Sequence, residues 1–164
     1  DWKDVKDALK GEGINVNDLC DHLYAYEYEG EYYLIPGVED ALIPSFKKYM
    51  EKVNRSRDIS NADSIRIALQ TALSDIDAYE SFYKSDVDNE YVILSETGMT
   101  KVPAAFRKEF DAVLGEYPEV KYIKDGYDKF AFKLDVESNT CTVYVTNGSD
   151  FVEISPDIDY DFYF

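Results

Sequence analysis

The sequence predicts an α+β protein: a long helix packed on a C-terminal antiparallel β-sheet, with an extra helix and hairpin segment before it. Three observations predict this. Residues 42–79 carry apolar side chains at spacings of three and four, from Leu42, Phe46, Tyr49, Met50 and Val53 through Ala62, Ile65, Leu69, Ala72, Leu73, Ile76 and Tyr79, which makes one stripe along a helix. The last third alternates apolar and polar residues between short turn signals, as the strands of a meander do. Fifteen Tyr and nine Phe against two Met favour β-rich or surface-exposed aromatic architecture.

Taken in order, residues 2–9 place Trp2, Val5 and Leu9 on one face of a short helix, ended by Gly11 and Gly13. A second short helix is expected over residues 15–23, capped by Asn15 or Asn17. Residues 24–35 read as a hairpin around Glu29-Gly30, with Tyr24, Tyr26 and Tyr28 on one face of its first strand. Pro36-Gly37 breaks the chain. The long helix then begins near Val38 or at Pro44, where proline suits a first turn. Residues 80–90 are polar and acidic and read as a loop, and residues 91–94 as a short buried strand or turn before Gly98. A second amphipathic helix is predicted over residues 103–114 through Val102, Phe106, Phe110, Val113 and Leu114, with Gly115 as its stop. Tyr122-Ile123 precedes a turn at Asp125-Gly126. Strands follow over 129–136, 141–145 and 151–154, separated by Ser138-Asn139 and by Asn147-Gly148, the strongest hairpin signal in the chain. Ile65, Leu69, Ala72 and Ile76 are expected to bury against Phe130, Phe132, Leu134, Val143 and Val145.

Charge narrows the function classes. The 164 residues hold 17 basic and 34 acidic side chains, a formal charge of -17. Nucleic-acid binding needs clustered Lys and Arg on a basic face and is not expected. Such a chain suits a self-repelling exterior, a cation-binding surface or a basic protein partner. Against this background Lys47, Lys48, Lys52, Arg55 and Arg57 crowd the first half of the long helix. As a cluster they point to an assembly surface, through anionic headgroups or the acidic flank of a neighbouring subunit. Taken singly, each fits a solvated helix face supported by pairs such as Glu51 with Arg55. No apolar run approaches the roughly 20 residues that span a bilayer. The chain opens on Asp1 rather than Met, as an excised piece or a processed product does, and membrane association is expected only through a segment outside this sequence.

Cys20 and Cys141 are the two cysteines. Their spacing leaves two readings open: one long-range disulfide in an exported protein, or two buried thiols. His22 is the single histidine, and no metal or other cofactor is expected. Gly11-Glu12-Gly13 does not follow a strand, and no phosphate-loop, nucleophile-elbow or metalloprotease motif is present, so no catalytic residues are assigned and no enzyme is expected. Asp86, Asp88 and Glu90, like Asp157, Asp159 and Asp161, read as solvent-facing acids. The Tyr24 to Tyr33 aromatics read first as a packed hairpin face, with an adhesive or carbohydrate-binding face as the other reading.

The run from Ile43-Pro44-Ser45-Phe46-Lys47-Lys48-Tyr49-Met50-Glu51-Lys52 through Arg57-Asp58-Ile59-Ser60-Asn61-Ala62-Asp63 to Ala68-Leu69-Gln70-Thr71-Ala72-Leu73 resembles type IV pilins and the pseudopilins of type II secretion. It is similar to the stretch just after the membrane-spanning half of that family's first helix, and the following loop and strands match its order over about residues 41–156. Where the family carries its apolar span, this chain has Pro36-Gly37-Val38-Glu39-Asp40 behind a Tyr-rich hairpin. The resemblance therefore implies an appendage over residues 1–40 and a pilin-like domain over residues 41–164. It implies a non-enzymatic, extracytoplasmic subunit for surface filament assembly, adhesion or secretion, at the cell surface or secreted. Other pilin-like subunits or copies of itself would be its partners. Phe46, Lys47, Lys48, Tyr49, Lys52 and Arg55 would form the assembly contact. The alternative is an acidic soluble binding or inhibitor module for a basic protein partner.

Overall fold

The computed structural model describes residue 11, residue 13 and residues 25–28, 31–34 and 39–164, with side chains from residue 47 onward. The chain divides into two compact units, Asp1–Asn54 and Arg55–Phe164, and the division falls inside the long helix. The boundary read from the sequence, between residues 40 and 41, lies in that helix's first turn.

In the first unit, strands β1 (Ala25–Tyr28) and β2 (Glu31–Leu34) pair antiparallel, with Tyr26 opposite Tyr33 and Tyr28 opposite Glu31. The strand pairing expected of a hairpin over residues 24–35 is thereby borne out, and Glu29-Gly30 lies outside the described residues. The short helices expected over 2–9 and 15–23 lie outside the described residues. Helix α1 runs Glu39–Ala72, 34 residues, so it starts by Val38 rather than at Pro44. Pro44 sits in the second turn, where it withholds one backbone donor.

In the second unit, α1 ends at Ala72 rather than running on to residue 79. The cause is Asp75. Its backbone is extended (φ -83, ψ 130), and its carboxylate accepts the Ala78 N–H at 2.9 Å, capping a new helix, α2 (Ile76–Tyr83). The restart turns the last predicted stripe residues outward: Ile76 is 74% and Tyr79 41% exposed. Ile76 therefore does not bury against the sheet as expected, whereas Ile65, Leu69 and Ala72 are fully buried. The polar loop accordingly begins after Tyr83 instead of at Glu80.

Strand β3 (Tyr91–Ile93) leads to a 3-10 turn, Gly98–Lys101. Gly98 fits there because any Cβ would collide with the Ile93 carbonyl oxygen. Helix α3 (Ala104–Leu114) buries Phe106 and Phe110 and stops at Gly115, whose φ of 74 is a left-handed conformation suited to glycine. Val113, expected on its apolar face, is exposed.

Strands β4 (Lys129–Asp135), β5 (Thr140–Thr146) and β6 (Phe151–Ser155) follow, and β3 to β6 form one antiparallel sheet in chain order. Phe130 faces Val145, Phe132 faces Val143 and Leu134 faces Cys141 across β4 and β5. These side chains join Ala62, Ile65, Ala68, Leu69 and Ala72 of α1, with Phe82, Phe106 and Phe110, in one buried cluster. The architecture is thus α+β, with a long helix and a four-stranded antiparallel sheet. The alternating acids at the C-terminus do not form a strand. Asp159 instead caps a short helix, α4 (Tyr160–Tyr163), and Tyr163 enters the core.

Candidate functional site

The residues expected to make the assembly contact lie on α1. Lys47, Lys48, Tyr49 and Lys52 are exposed, Tyr49 at 40%. Lys48 and Lys52 are four residues apart and Tyr49 and Lys52 three, so the three share one helix face. The Phe46 side chain lies outside the described residues. Arg55 is placed differently. It is half-buried, with its guanidinium 4.7 Å from the Tyr122 ring centroid and 5.7 Å from that of Phe164. Its planar group stacks on aromatic faces within the second unit.

One helical turn on, Asp58 carries a carboxylate into the interior. It is fully buried, and its two oxygens each accept one backbone N–H at 2.8 Å, from Lys121 and Tyr122. Burial pushes its pKa above the ordinary range, against the opposing pull of these two donors. Beside it Tyr163 is buried to 1%, and its hydroxyl makes no hydrogen bond among the described residues. Asp58, Arg55 and Tyr163 thus fasten the 120–122 segment and the C-terminus onto α1. The sequence reading did not single out Asp58. The signal was there: Asp58 stands in the same series as Ala62, Ile65, Leu69 and Ala72, an acid on the core-facing stripe. A second polar tie holds α1 to the sheet. Ser155 donates to Asp63 at 2.7 Å, and Arg66 Nε donates to Ser155 at 3.0 Å.

The described residues also line an open cleft of ≈ 850 Å³ between α3, the 115–123 segment and the facing ends of β3 and β4. Leu94, Val120 and Phe130 form its apolar floor, each buried. Its rim is acidic, with Glu96, Asp111, Glu116, Glu119 and Asp128 against Arg107 and Lys129. Both cations are engaged: Arg107 with Asp111 at 3.6 Å and Lys129 with Asp128 at 3.1 Å. Glu96 and Glu116 make no ion pair among the described residues. The Tyr117 hydroxyl donates to Asp111 at 2.8 Å. Burial, then that carboxylate, pushes its pKa up to about 12. Carboxylate oxygens along the rim suit cations and hydrogen-bond donors.

Cys141 is a buried free thiol whose pKa burial pushes up to about 11, and Cys20 lies outside the described residues. Asp88 is taken up by the fold, accepting the Val136 N–H at 3.0 Å, while Asp157, Asp159 and Asp161 are exposed. Among the described residues no group of three or more His, Cys, Asp or Glu is placed to hold a metal ion, and no helix is long and apolar enough to cross a membrane. The side chains of Tyr24, Tyr26, Tyr28, Tyr32 and Tyr33 lie outside the described residues. Comparison with protein-family models, with curated proteins and with solved structures gives no match.

Proposed function

We propose that this chain is a pilin-like or pseudopilin-like subunit, a non-enzymatic assembly component acting outside the cytoplasm. The observation that carries this reading is how α1 is used along its length. From Asp58 onward it is bound into a four-stranded antiparallel sheet, through Ile65, Leu69 and Ala72 and the Asp63–Ser155 tie. Lys47, Lys48, Tyr49 and Lys52 present exposed cationic and aromatic side chains ahead of that. A helix used in this way serves as core scaffold at one end and contact surface at the other. The resemblance of residues 43–73 to the family supports the same use.

Immunogold labelling of sheared surface filaments, with antibody to the Arg55–Phe164 unit, tests the proposal. Label along or at the tips of filaments is the expected result. Label confined to the cytoplasmic fraction would overturn it.

The second reading, an acidic module for a basic protein, is favoured by the acid-rimmed cleft. A salt-sensitive complex with a basic protein of another kind, together with no self-association, would move the assignment there.

A further inference from the structure

The sheet ends at Ser155, and we infer that residues 156–164 form a strap over Asp58 that opens as one unit while the rest of the fold stays closed. The inference goes beyond the assembly reading and does not depend on it. Ser155 is fixed, being buried and tied to Asp63 and Arg66 of α1. Directly beyond it Pro156 and Asp157 are exposed, so a hinge there disturbs nothing in the core. Among the described residues the strap's main chain meets the rest of the second unit at three hydrogen bonds. Two lie at the hinge end, where the Asp157 N–H donates to Glu153 Oε1 at 3.3 Å and the Asp159 N–H to the Glu153 carbonyl at 3.1 Å. The third comes from a long side chain, Lys124 Nζ donating to the Phe162 carbonyl at 2.7 Å.

The other main-chain bonds of the strap are its own. The Asp159 carboxylate accepts the Phe162 N–H at 3.1 Å, and the carbonyls of Asp159 and Tyr160 accept the N–H groups of Tyr163 and Phe164 at 3.1 and 2.8 Å. These bonds travel with α4, so the segment moves as a body rather than residue by residue. Tyr163 is its one deep anchor. Ile158 and Phe162 are half-buried, while Tyr160 and Phe164 are each 70% exposed and pack on one another at 5.3 Å. The anchor is held by its ring, not by its hydroxyl, which is buried without a hydrogen bond among the described residues and lies within the field of the buried Asp58 carboxylate. Withdrawing Tyr163 brings water to both polar groups, and that gain offsets part of the apolar area exposed. The ring, with Ile158 and Phe162, keeps the strap closed for most of the time. Opening it breaks few bonds and leaves the sheet intact, which places it below global unfolding in free energy.

Native-state hydrogen exchange of the full chain in low urea, resolved by residue with NMR, tests this on the amides of Asp159, Phe162, Tyr163 and Phe164 against the most protected amides of β4 and β5. The four are expected to share one opening, more populated by about tenfold or more than the one that frees the sheet amides, and only weakly dependent on urea. Tyr163→Phe should make that shared opening about threefold rarer, because the side chain no longer gains a hydrated hydroxyl by leaving. Exchange of the four only together with the sheet overturns the inference. So does exchange graded from Phe164 inward, which is fraying of a chain end. An opening unchanged or more frequent in Tyr163→Phe overturns it as well, since the hydroxyl would then not favour release.

Discussion

Removing the Asp58 carboxylate leaves the amides of Lys121 and Tyr122 facing a side chain that cannot accept from them. Each buried donor left in this state costs about 1–3 kcal/mol. Asp58→Ala is therefore expected to destabilise the protein by about 2–4 kcal/mol, and Asp58→Asn, which keeps one acceptor oxygen, by less. Urea unfolding measures both; a loss under about 0.5 kcal/mol for Asp58→Ala would show that the two amides find other partners. The neighbouring hydroxyl of Tyr163 argues in the opposite direction. It is buried and makes no hydrogen bond among the described residues, so Tyr163→Phe should be neutral or stabilising by up to about 1 kcal/mol. A clear loss in the same assay would reveal a bound water satisfying it. Cys141 gives a third test at this scale. With its pKa raised to about 11 by burial, its thiol should resist a thiol reagent at pH 8 in the native protein and react on unfolding. Immediate labelling of native Cys141 would contradict its buried position.

At the scale of elements, the break at Asp75 separates two residues that the apolar pattern treats alike. Leu69 is fully buried and Ile76 is 74% exposed. Leu69→Ala should cost about 2–5 kcal/mol and Ile76→Ala less than about 0.5. A comparable loss at both positions in thermal unfolding would mean that the helix runs on unbroken. This pair also shows where the sequence was legible and where it was not. The strands over 129–155 were readable because alternation and the Asn147-Gly148 turn are local signals, and the stop at Gly115 because glycine alone takes that backbone freely. The restart at α2 was masked because Ile76 and Tyr79 continue the spacing of Leu69, Ala72 and Leu73 while Asp75 quietly supplies a cap. For the site, the exposed cations of α1 were legible from charge contrast. The cleft was not, because its floor and rim come from β3, α3, the 115–123 segment and β4, which only tertiary packing brings together. Asp58 was readable in principle from its place on the stripe, but its partners are backbone amides, which carry no residue-specific mark.

For the whole molecule, a charge of -17 and a sequence pI near 4.3 make pH and salt act on the fold and on assembly in different ways. Asp58 has a folded pKa above its ordinary 3.8. Between those two values the native state holds more protons than the unfolded chain, so its contribution to stability falls as pH rises through that window. Asp135 works the other way. The Ser138 donors lower its pKa, and its contribution, present above 3.8, is lost as pH falls through the lower folded value. Lowering the pH from 7 towards 5 also relieves the mutual repulsion of 34 acids. Thermal stability should therefore rise on mild acidification, and Asp58→Asn should flatten the lower end of that rise. Salt screens the same repulsion, so Tm should also increase between about 0.05 and 0.5 M salt, as the screening length falls from over 10 Å to less than half that. Assembly through the exposed Lys48 and Lys52 of α1, as proposed, would depend on attraction to an acidic flank of a neighbour, and screening weakens such attraction over the same range. One titration, followed by calorimetry and by sedimentation, should show the fold strengthening while the assembly dissociates. If both strengthen together, the association is apolar in origin and does not run through Lys48 and Lys52.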